Sequence, residues 1–390
     1  MTSVRLRFTP EDRREKRDRL VPIDVPTGAE GVEIELDYDA SAATIDLGLF
    51  DPGGFRGYSG SARRRVGVTP ERATPGYLPG DIEAGEWRVH LGLHRVIAPG
   101  VDVELRFRTG AVDVEAPAQP PPAPERPPHR ELPASEGRRW IRGDLHAHTH
   151  HSDGRLSLDE LTANARALGL DFLAVTDHNT ISHHRELPAA SRRYGLQLIP
   201  GQEVTTPRGH ANCLGDTGWI DWRRSREQWV ADAHAGEGLL SVNHPTGPDQ
   251  TWPDPVPEGT DLVEVWHGRW DRLGEGAIVW WSARGGVPVG GSDFHRPGRY
   301  SLARPTTWVE AQDDDVLGAL SAGRVAISCA PGGPVVLRAD DRVRVVGGEG
   351  MSLAWPDGGA RVTGPDVALQ PATGPFCLRD DAGRLVAFTA

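Results

Sequence analysis

At 390 residues the chain is long enough for two or three domains, and its net charge of −12 argues against the broad positive face that nucleic acid requires. Three scattered cysteines, Cys213, Cys329 and Cys377, exclude a disulfide framework or a thiolate metal site. No apolar stretch approaches a membrane span and Met1–Lys16 lacks the apolar core of a secretory signal, so no membrane partner and a cytoplasmic location are expected.

Residues 1–115 alternate with period two. Val32-Glu33-Ile34-Glu35-Leu36, Trp87-Arg88-Val89-His90-Leu91 and Val101-Asp102-Val103-Glu104-Leu105 read as strands, separated by turn formers such as Asp51-Pro52-Gly53-Gly54 and Pro79-Gly80-Asp81. The pattern predicts a β-sandwich-like domain with no catalytic spacing of its own. Residues 116–138 form a linker: eight prolines between Pro117 and Pro133 leave almost nothing to build a core, and they predict an extended, semi-rigid join.

From residue 139 to about 330 the period changes. Ser157 and Glu160 make a capping box for a helix whose Leu158, Leu161, Ala165 and Leu168 share one face, and Gly169 ends it. Buried strands are predicted at Phe172–Val175, Leu196–Val204, Leu239–Val242, Leu262–Val265, Val287–Gly290 and Thr307–Val309. Helices are predicted at Glu227–Ala235, Glu275–Ala283 and Asp314–Ala322. This alternation predicts an α/β fold with a largely parallel sheet, open or closed into a barrel, whose working end is the C-terminal end of its strands. Residues 331–390 return to short strands and predict a small β-rich extension.

Twelve of the fifteen histidines lie between His146 and His295, most at or just past the end of a predicted strand together with a carboxylate. In Asp144-Leu145-His146-Ala147-His148 the two imidazoles face one side of an extended chain and can share one ion at about 2.0–2.2 Å. Ser152-Asp153-Gly154 can add an oxygen ligand. In Thr176-Asp177-His178-Asn179 the adjacent side chains point apart, so His178 is the candidate ligand and Asp177 a candidate for orienting an imidazole or moving a proton. Glu203 ends a buried strand, where a carboxylate is costly unless paired or metal-bound, and its two oxygens suit a bridge. His210, Asn243-His244 and Asp293-Phe294-His295 complete the series, and Asp293 and His295 again share a side.

These motifs, HAH, SDG, TDHN, the Gly201-Gln202-Glu203 segment, NHP and SDFH, resemble those of the PHP (polymerase and histidinol phosphatase) superfamily of metal-dependent phosphoesterases over roughly Arg139–Ala330. The β-rich start and proline-rich join are most similar to the CehA/McbA-type branch. The resemblance implies a distorted (β/α)7 barrel holding two or three divalent ions of the Mn, Fe or Zn type. It implies one ion at His146, His148, Glu203 and Asp293, a second bridged by Glu203 to His210 and His244, and a third at Asp153, His178 and His295. It further implies hydrolysis of a small phosphorylated substrate by a metal-bridging hydroxide, with Glu203, Asp177, His178 and His295 as the catalytic groups. Arg142 and Arg208 are the candidate phosphate contacts. The same centre suits carbamate, ester or amide hydrolysis, with indoles among Trp252, Trp266, Trp270, Trp280 and Trp281 as a possible pocket wall. A binding module that uses metal only for stability is the non-enzymatic alternative.

Overall fold

The alternating stretches of the N-terminal third are strands in a computed structural model, which describes residues 2–247, 251–252, 255–268, 275–298, 301–339, 342–370 and 373–390. They are β1 (Thr2–Phe8), β2 (Asp18–Val25), β3 (Val32–Tyr38), β4 (Ala43–Asp51), β5 (Gly54–Gly60), β6 (Arg65–Val68), β7 (Gly85–Val96) and β8 (Val101–Thr109). Two four-stranded antiparallel sheets result, in the orders β1-β8-β3-β6 and β2-β7-β4-β5. Val32, Ile34 and Leu36 on β3 and Trp87, Val89 and Leu91 on β7 enter one common core. Glu33 points the other way and is gripped by Arg65 and Arg108.

The chain divides into two compact units, and the division does not follow chain order. The first unit is Met1–Pro120 together with His150–Gly154 and Asp177–Arg185; the second is Pro121–Thr149, Arg155–Thr176 and Glu186–Ala390. The proline-rich segment from Pro121 onward has no helix or strand, yet it is fastened along its length within the second unit. Tyr194, Arg166 and Trp140 donate to the carbonyls of Pro121, Pro124 and Pro133, and Leu132 is buried beside Trp140 and Trp308.

The second unit carries β9 (Arg139–Asp144), β10 (Phe172–Val175), β11 (Gln197–Thr206), β12 (Gly209–Leu214), β13 (Leu239–Asn243), β14 (Leu262–His267), β15 (Val287–Gly291), β16 (Thr306–Ala311) and β17 (Val325–Ser328). After these come β18 (Val335–Ala339), β19 (Arg342–Val346), β20 (Ser352–Trp355), β21 (Gly358–Arg361), β22 (Asp366–Leu369), β23 (Phe376–Arg379) and β24 (Leu385–Thr389). One thirteen-stranded sheet runs β15-β14-β13-β12-β11-β10-β9-β16-β17-β24-β23-β20-β21, and β18-β19-β22 form a separate sheet. The C-terminal strands thus continue the same ladder through β17 and β24.

Only β9–β10, β10–β11, β13–β14 and β14–β15 are parallel ladders; the others are antiparallel, which corrects the largely parallel sheet expected. Two features cause this. The unforeseen strand β12 folds back from β11 through Pro207-Arg208, and β16 runs antiparallel to both of its neighbours, β9 and β17. Among the described residues the ladder ends at β15 and β21 without closing on itself. The helix at Leu158–Ala167 has both halves of its predicted capping box, and Gly169, at φ +72, follows its end. Other helices at Leu187–Tyr194, Arg226–Ala235, Gly276–Ser282 and Val316–Ser321 lie between strands, the first of them unforeseen. Among the described residues no helix is long and apolar enough to cross a membrane.

Since β9, β10, β11, β13, β14 and β15 all run one way, their C-terminal ends fall on one side of the sheet. This is where the histidines and carboxylates collect.

Candidate metal centre

Beyond β9 the chain stays extended: Ala147 bridges Phe294, His148 N–H donates to the Phe294 carbonyl at 2.9 Å, and Thr176 N–H donates to the Ala147 carbonyl. This puts Ala147 in the core and leaves His146 and His148 on the opposite side. Asp144 pins the arrangement, accepting from the backbone N–H groups of His146 (3.2 Å), Ser292 (3.0 Å) and Ala303 (2.7 Å). Burial nevertheless pushes its carboxyl pKa upward, against these donors.

Glu203 lies fully buried on β11, at the meeting point of four imidazoles. Its Oε1 is 3.3 Å from His146 Nε2, 3.0 Å from His210 Nδ1 and 3.4 Å from His244 Nε2, and its Oε2 is 3.7 Å from His148 Nε2. The β11–β12 hairpin makes this possible: Thr205 pairs with His210, and His210 in turn with Asn243, whose amide donates to Glu203 at 3.1 Å. Asp293, in the left-handed region at φ +52, is the second hub. Its Oδ1 is 3.1 Å from His148 Nε2, 3.4 Å from His146 Nε2 and 3.5 Å from His295 Nδ1, and its Oδ2 is 3.2 Å from His267 Nε2. His295 stacks on His148 with ring centroids 4.2 Å apart.

Glu264 and His267 were missed in the sequence. Glu264 Oε1 sits 3.0 Å from His146 Nδ1 while its Oε2 accepts the His244 backbone N–H at 2.8 Å, so one carboxylate orients the His146 ring and pins the main chain at His244. The signal was present: a glutamate inside a continuously apolar strand, with a histidine at its end. Reading that strand only to Val265 left out His267, and Glu264 inside it passed as one more strand residue.

The charges are mutually dependent. Burial opposes protonation of His146, but Glu203, Glu264 and Asp293 outweigh it and hold the imidazole pKa well above its ordinary value. Burial likewise pushes Glu264 up, yet His146 and His267 bring it below the usual range; for Asp293, His295 and His146 overcome burial and hold it well below. His146 Nε2 is buried and makes no hydrogen bond although two carboxylates face it. A divalent cation would satisfy these donors together. His146, His148 and Glu203 have ligand atoms within 4.8 Å of one another, as do His146, His244, Glu264 and His267, and the mixed nitrogen and oxygen set fits ions of the Mn, Fe or Zn type.

The remaining candidates are placed as follows. Asp153 and His178 lie in the first unit with Oδ1 and Nε2 3.5 Å apart. Asp177, also there and fully buried, accepts from Ser152 N–H (3.1 Å) and Oγ (2.6 Å) and lies 3.2 Å from His183 Nδ1. Arg142 is not a phosphate contact: its buried guanidinium donates to the Gly169 and Pro331 carbonyls beside the Trp308 ring. Arg208 is exposed on the β11–β12 turn. Trp252 and Trp266 are buried; Trp280 and Trp281 are part-exposed, because Ala277 and Ile278 form the buried face of their helix. Trp270 lies outside the described residues. Cys213 is fully buried, which pushes its thiol pKa up and suits no nucleophile.

Gly291 provides a local test of the Glu264–His146 contact. A Cβ there would lie 2.2 Å from Glu264 Oε1 and 2.6 Å from His146 Cβ. Gly291→Ala is expected to displace Glu264 and weaken metal binding about 10–100-fold while costing about 1–3 kcal/mol of stability. Metal titration and thermal melts of the variant check it, and unchanged affinity would show that Glu264 does not set the His146 orientation.

Residues 144–243 match the family model described as PHP domain. Over 63 residues the chain is 44% identical to a 5'-3' exoribonuclease of Haemophilus influenzae, covering 16% of this chain and 23% of that protein. Over 66 residues it is 38% identical to a 3',5'-nucleoside bisphosphate phosphatase of Chromobacterium violaceum, covering 17% and 23%. The chain therefore spans less than a quarter of either relative. A solved two-domain protein containing a predicted PHP-like metal-dependent phosphoesterase, from Bacteroides vulgatus, is similar with a TM-score of 0.44 and 18% identity, over 68% of this chain and 91% of that one.

Proposed function

From the match of residues 144–243 to the PHP domain model, we propose that the chain is a metal-dependent phosphoesterase acting on a small phosphorylated substrate. The observation that carries the reading is the convergence of His146, His148, His210 and His244 on the buried Glu203 carboxylate. The names of both curated relatives, a ribonuclease and a bisphosphate phosphatase, support a phosphoester as the bond attacked. In this reading the sheet through β17 is a distorted (β/α)7 barrel, residues 1–115 a sandwich-like domain and 331–390 an extension. The reading extends to the CehA/McbA-type branch, which the β-rich start supports.

His146, His148, Glu203 and Asp293 would hold one ion, Glu203, His210 and His244 a second, and Asp153 and His178 take part in a third. Bound ions of this kind supply Lewis-acid activation of water and charge compensation at the phosphoryl oxygens. The protein's own groups do the rest. Glu264 fixes the His146 ring, so that Nε2 faces Glu203 and Asp293. The Asp293 carbonyl lies 2.8 Å from His295 Nδ1, which directs proton transfer through Nε2 toward a leaving oxygen. Arg208, exposed on its turn, is the guanidinium assigned to the substrate phosphate.

A hydrolysis screen with Mn²⁺ or Zn²⁺ tests this, setting aryl phosphates, phosphodiesters and short oligonucleotides against aryl esters and carbamates. Turnover of small phosphoesters is expected. Turnover confined to the carbonyl substrates overturns the choice of bond, preference for oligonucleotides overturns the small substrate, and less than one transition metal per purified chain overturns the metal centre.

A further inference from the structure

The two loops bearing Asp153 and His178 fold as part of the N-terminal β unit. Arg63, between β5 and β6, reaches loop 150–154: Nη1 donates to the Ser152 carbonyl at 3.1 Å and Nη2 to the carbonyl of His150. Gly76 reaches loop 177–185, its N–H donating to Ser182 Oγ at 3.1 Å and its carbonyl accepting from Thr180 Oγ1 at 2.9 Å. At φ +102, with any Cβ only 2.8 Å from both the His151 and Tyr58 carbonyls, the position admits only glycine. The buried Tyr58 hydroxyl hydrogen-bonds to the side chains of Asp46 and Asn179. Asn179 is the residue after His178 and lies in the left-handed region at φ +53. The loops are also tied to each other, through His151 Nδ1 to Ser182 Oγ at 2.8 Å and Ser152 to Asp177. Asp153 and His178, 3.5 Å apart, sit between these anchors.

We propose that the N-terminal β unit carries a working ion site, in which Arg63, Gly76 and Tyr58 are positioning residues that hold Asp153 and His178 at the spacing a divalent ion needs. The proposal rests on the reading of Asp153 and His178 as ion ligands. Ligands on loops need such support, because a metal site tolerates errors of only about 0.5 Å. A planar guanidinium joined to two carbonyls two residues apart sets the shape of the intervening turn in a way a single donor does not.

The test is calorimetric titration of the chelator-stripped full chain with Mn²⁺ alone, which needs no substrate. A chain that hydrolyses no phosphoester still answers it. The binding step abolished by Asp153→Asn identifies the Asp153–His178 site. Arg63→Ala is expected to weaken that step about 10–100-fold and to leave unchanged the steps abolished by Glu203→Gln. Arg63→Lys should restore part of the loss, and Arg65→Ala, in the next strand but bonded to Glu33, none of it lost. Tyr58→Phe removes a single hydroxyl, keeps the ring, and should weaken the same step by less, which answers the question if Arg63→Ala does not fold. The proposal is overturned if that step keeps wild-type affinity in both Arg63→Ala and Tyr58→Phe, if all steps weaken alike, or if no step responds to Asp153→Asn.

Discussion

Glu203→Gln is expected to remove at least one bound metal ion per chain and to lower kcat by roughly 10³-fold or more. The magnitude follows from metal-assisted catalysis, where charge stabilisation is worth several kcal/mol and about 1.4 kcal/mol corresponds to each decade. Glutamine matches the shape of glutamate but presents one acceptor oxygen and an NH₂ donor. At Glu203 both oxygens face imidazoles, with Oε1 within 3.4 Å of three of them, so either amide orientation replaces an acceptor by a donor at a crowded point. The variant also loses one of the three carboxylates that hold His146 charged. Elemental analysis, circular dichroism and kcat on the same preparation are decisive. A folded variant that keeps its metal and its turnover would refute the bridging role.

The second large effect is a pH dependence that reverses when metal is added. In the metal-free protein His146 has a raised pKa, so its contribution to stability is complete below the ordinary imidazole value of 6.5 and is lost as pH rises through the folded value. Glu264 and Asp293 are depressed, so theirs is complete above the ordinary values of 4.5 and 3.8 and is lost as pH falls through the folded ones. Metal-free protein should therefore be most stable between about pH 4.5 and 6.5 and should melt earlier as pH rises beyond that. A divalent ion takes the place of the His146 proton, so its binding tightens with pH and releases protons. Ligand at 100 times Kd stabilises by about 2.7 kcal/mol, and the increment in Tm on adding Mn²⁺ should be larger at pH 8 than at pH 6. Melting curves with and without Mn²⁺ at the two pH values measure this. An equal increment at both would show that binding displaces no proton from the cluster.

Much of the site was legible because strand geometry is simple. His146 and His148 had to share a side of an extended chain, and Asp177 and His178 had to diverge; His178 faces Asp153 while Asp177 binds Ser152 and His183. Glu203 could be picked out because an unpaired buried carboxylate is costly. Strand direction was less accessible, since a short apolar run looks the same in either orientation. This is why β12 was not foreseen, nor the antiparallel ladders from β16 to β21. His267 was lost to a boundary set two residues short on β14, and Glu264 was passed over inside the predicted strand. Arg142 looked available because its neighbours in sequence are ligands; what decides its role is the distant pair of carbonyls at Gly169 and Pro331. The grouping of residues 150–154 and 177–185 with the N-terminal strands depends on contacts across roughly 75–105 positions, such as Gly76 to His151 and to Ser182, which no local pattern encodes.

That grouping bears on how the protein is made. Chains are synthesised from the N-terminus, and domains commonly fold as they emerge. Here the first unit lacks two of its segments when residue 120 leaves the ribosome, and it must wait until residue 185 before Asp177–Arg185 can join it. During that interval residues 121–149 and 155–176, which belong to the other unit, are already out. The first unit can therefore be completed only after part of the second has emerged, and until then the β unit has an unfilled seat beside Gly76 and Arg63.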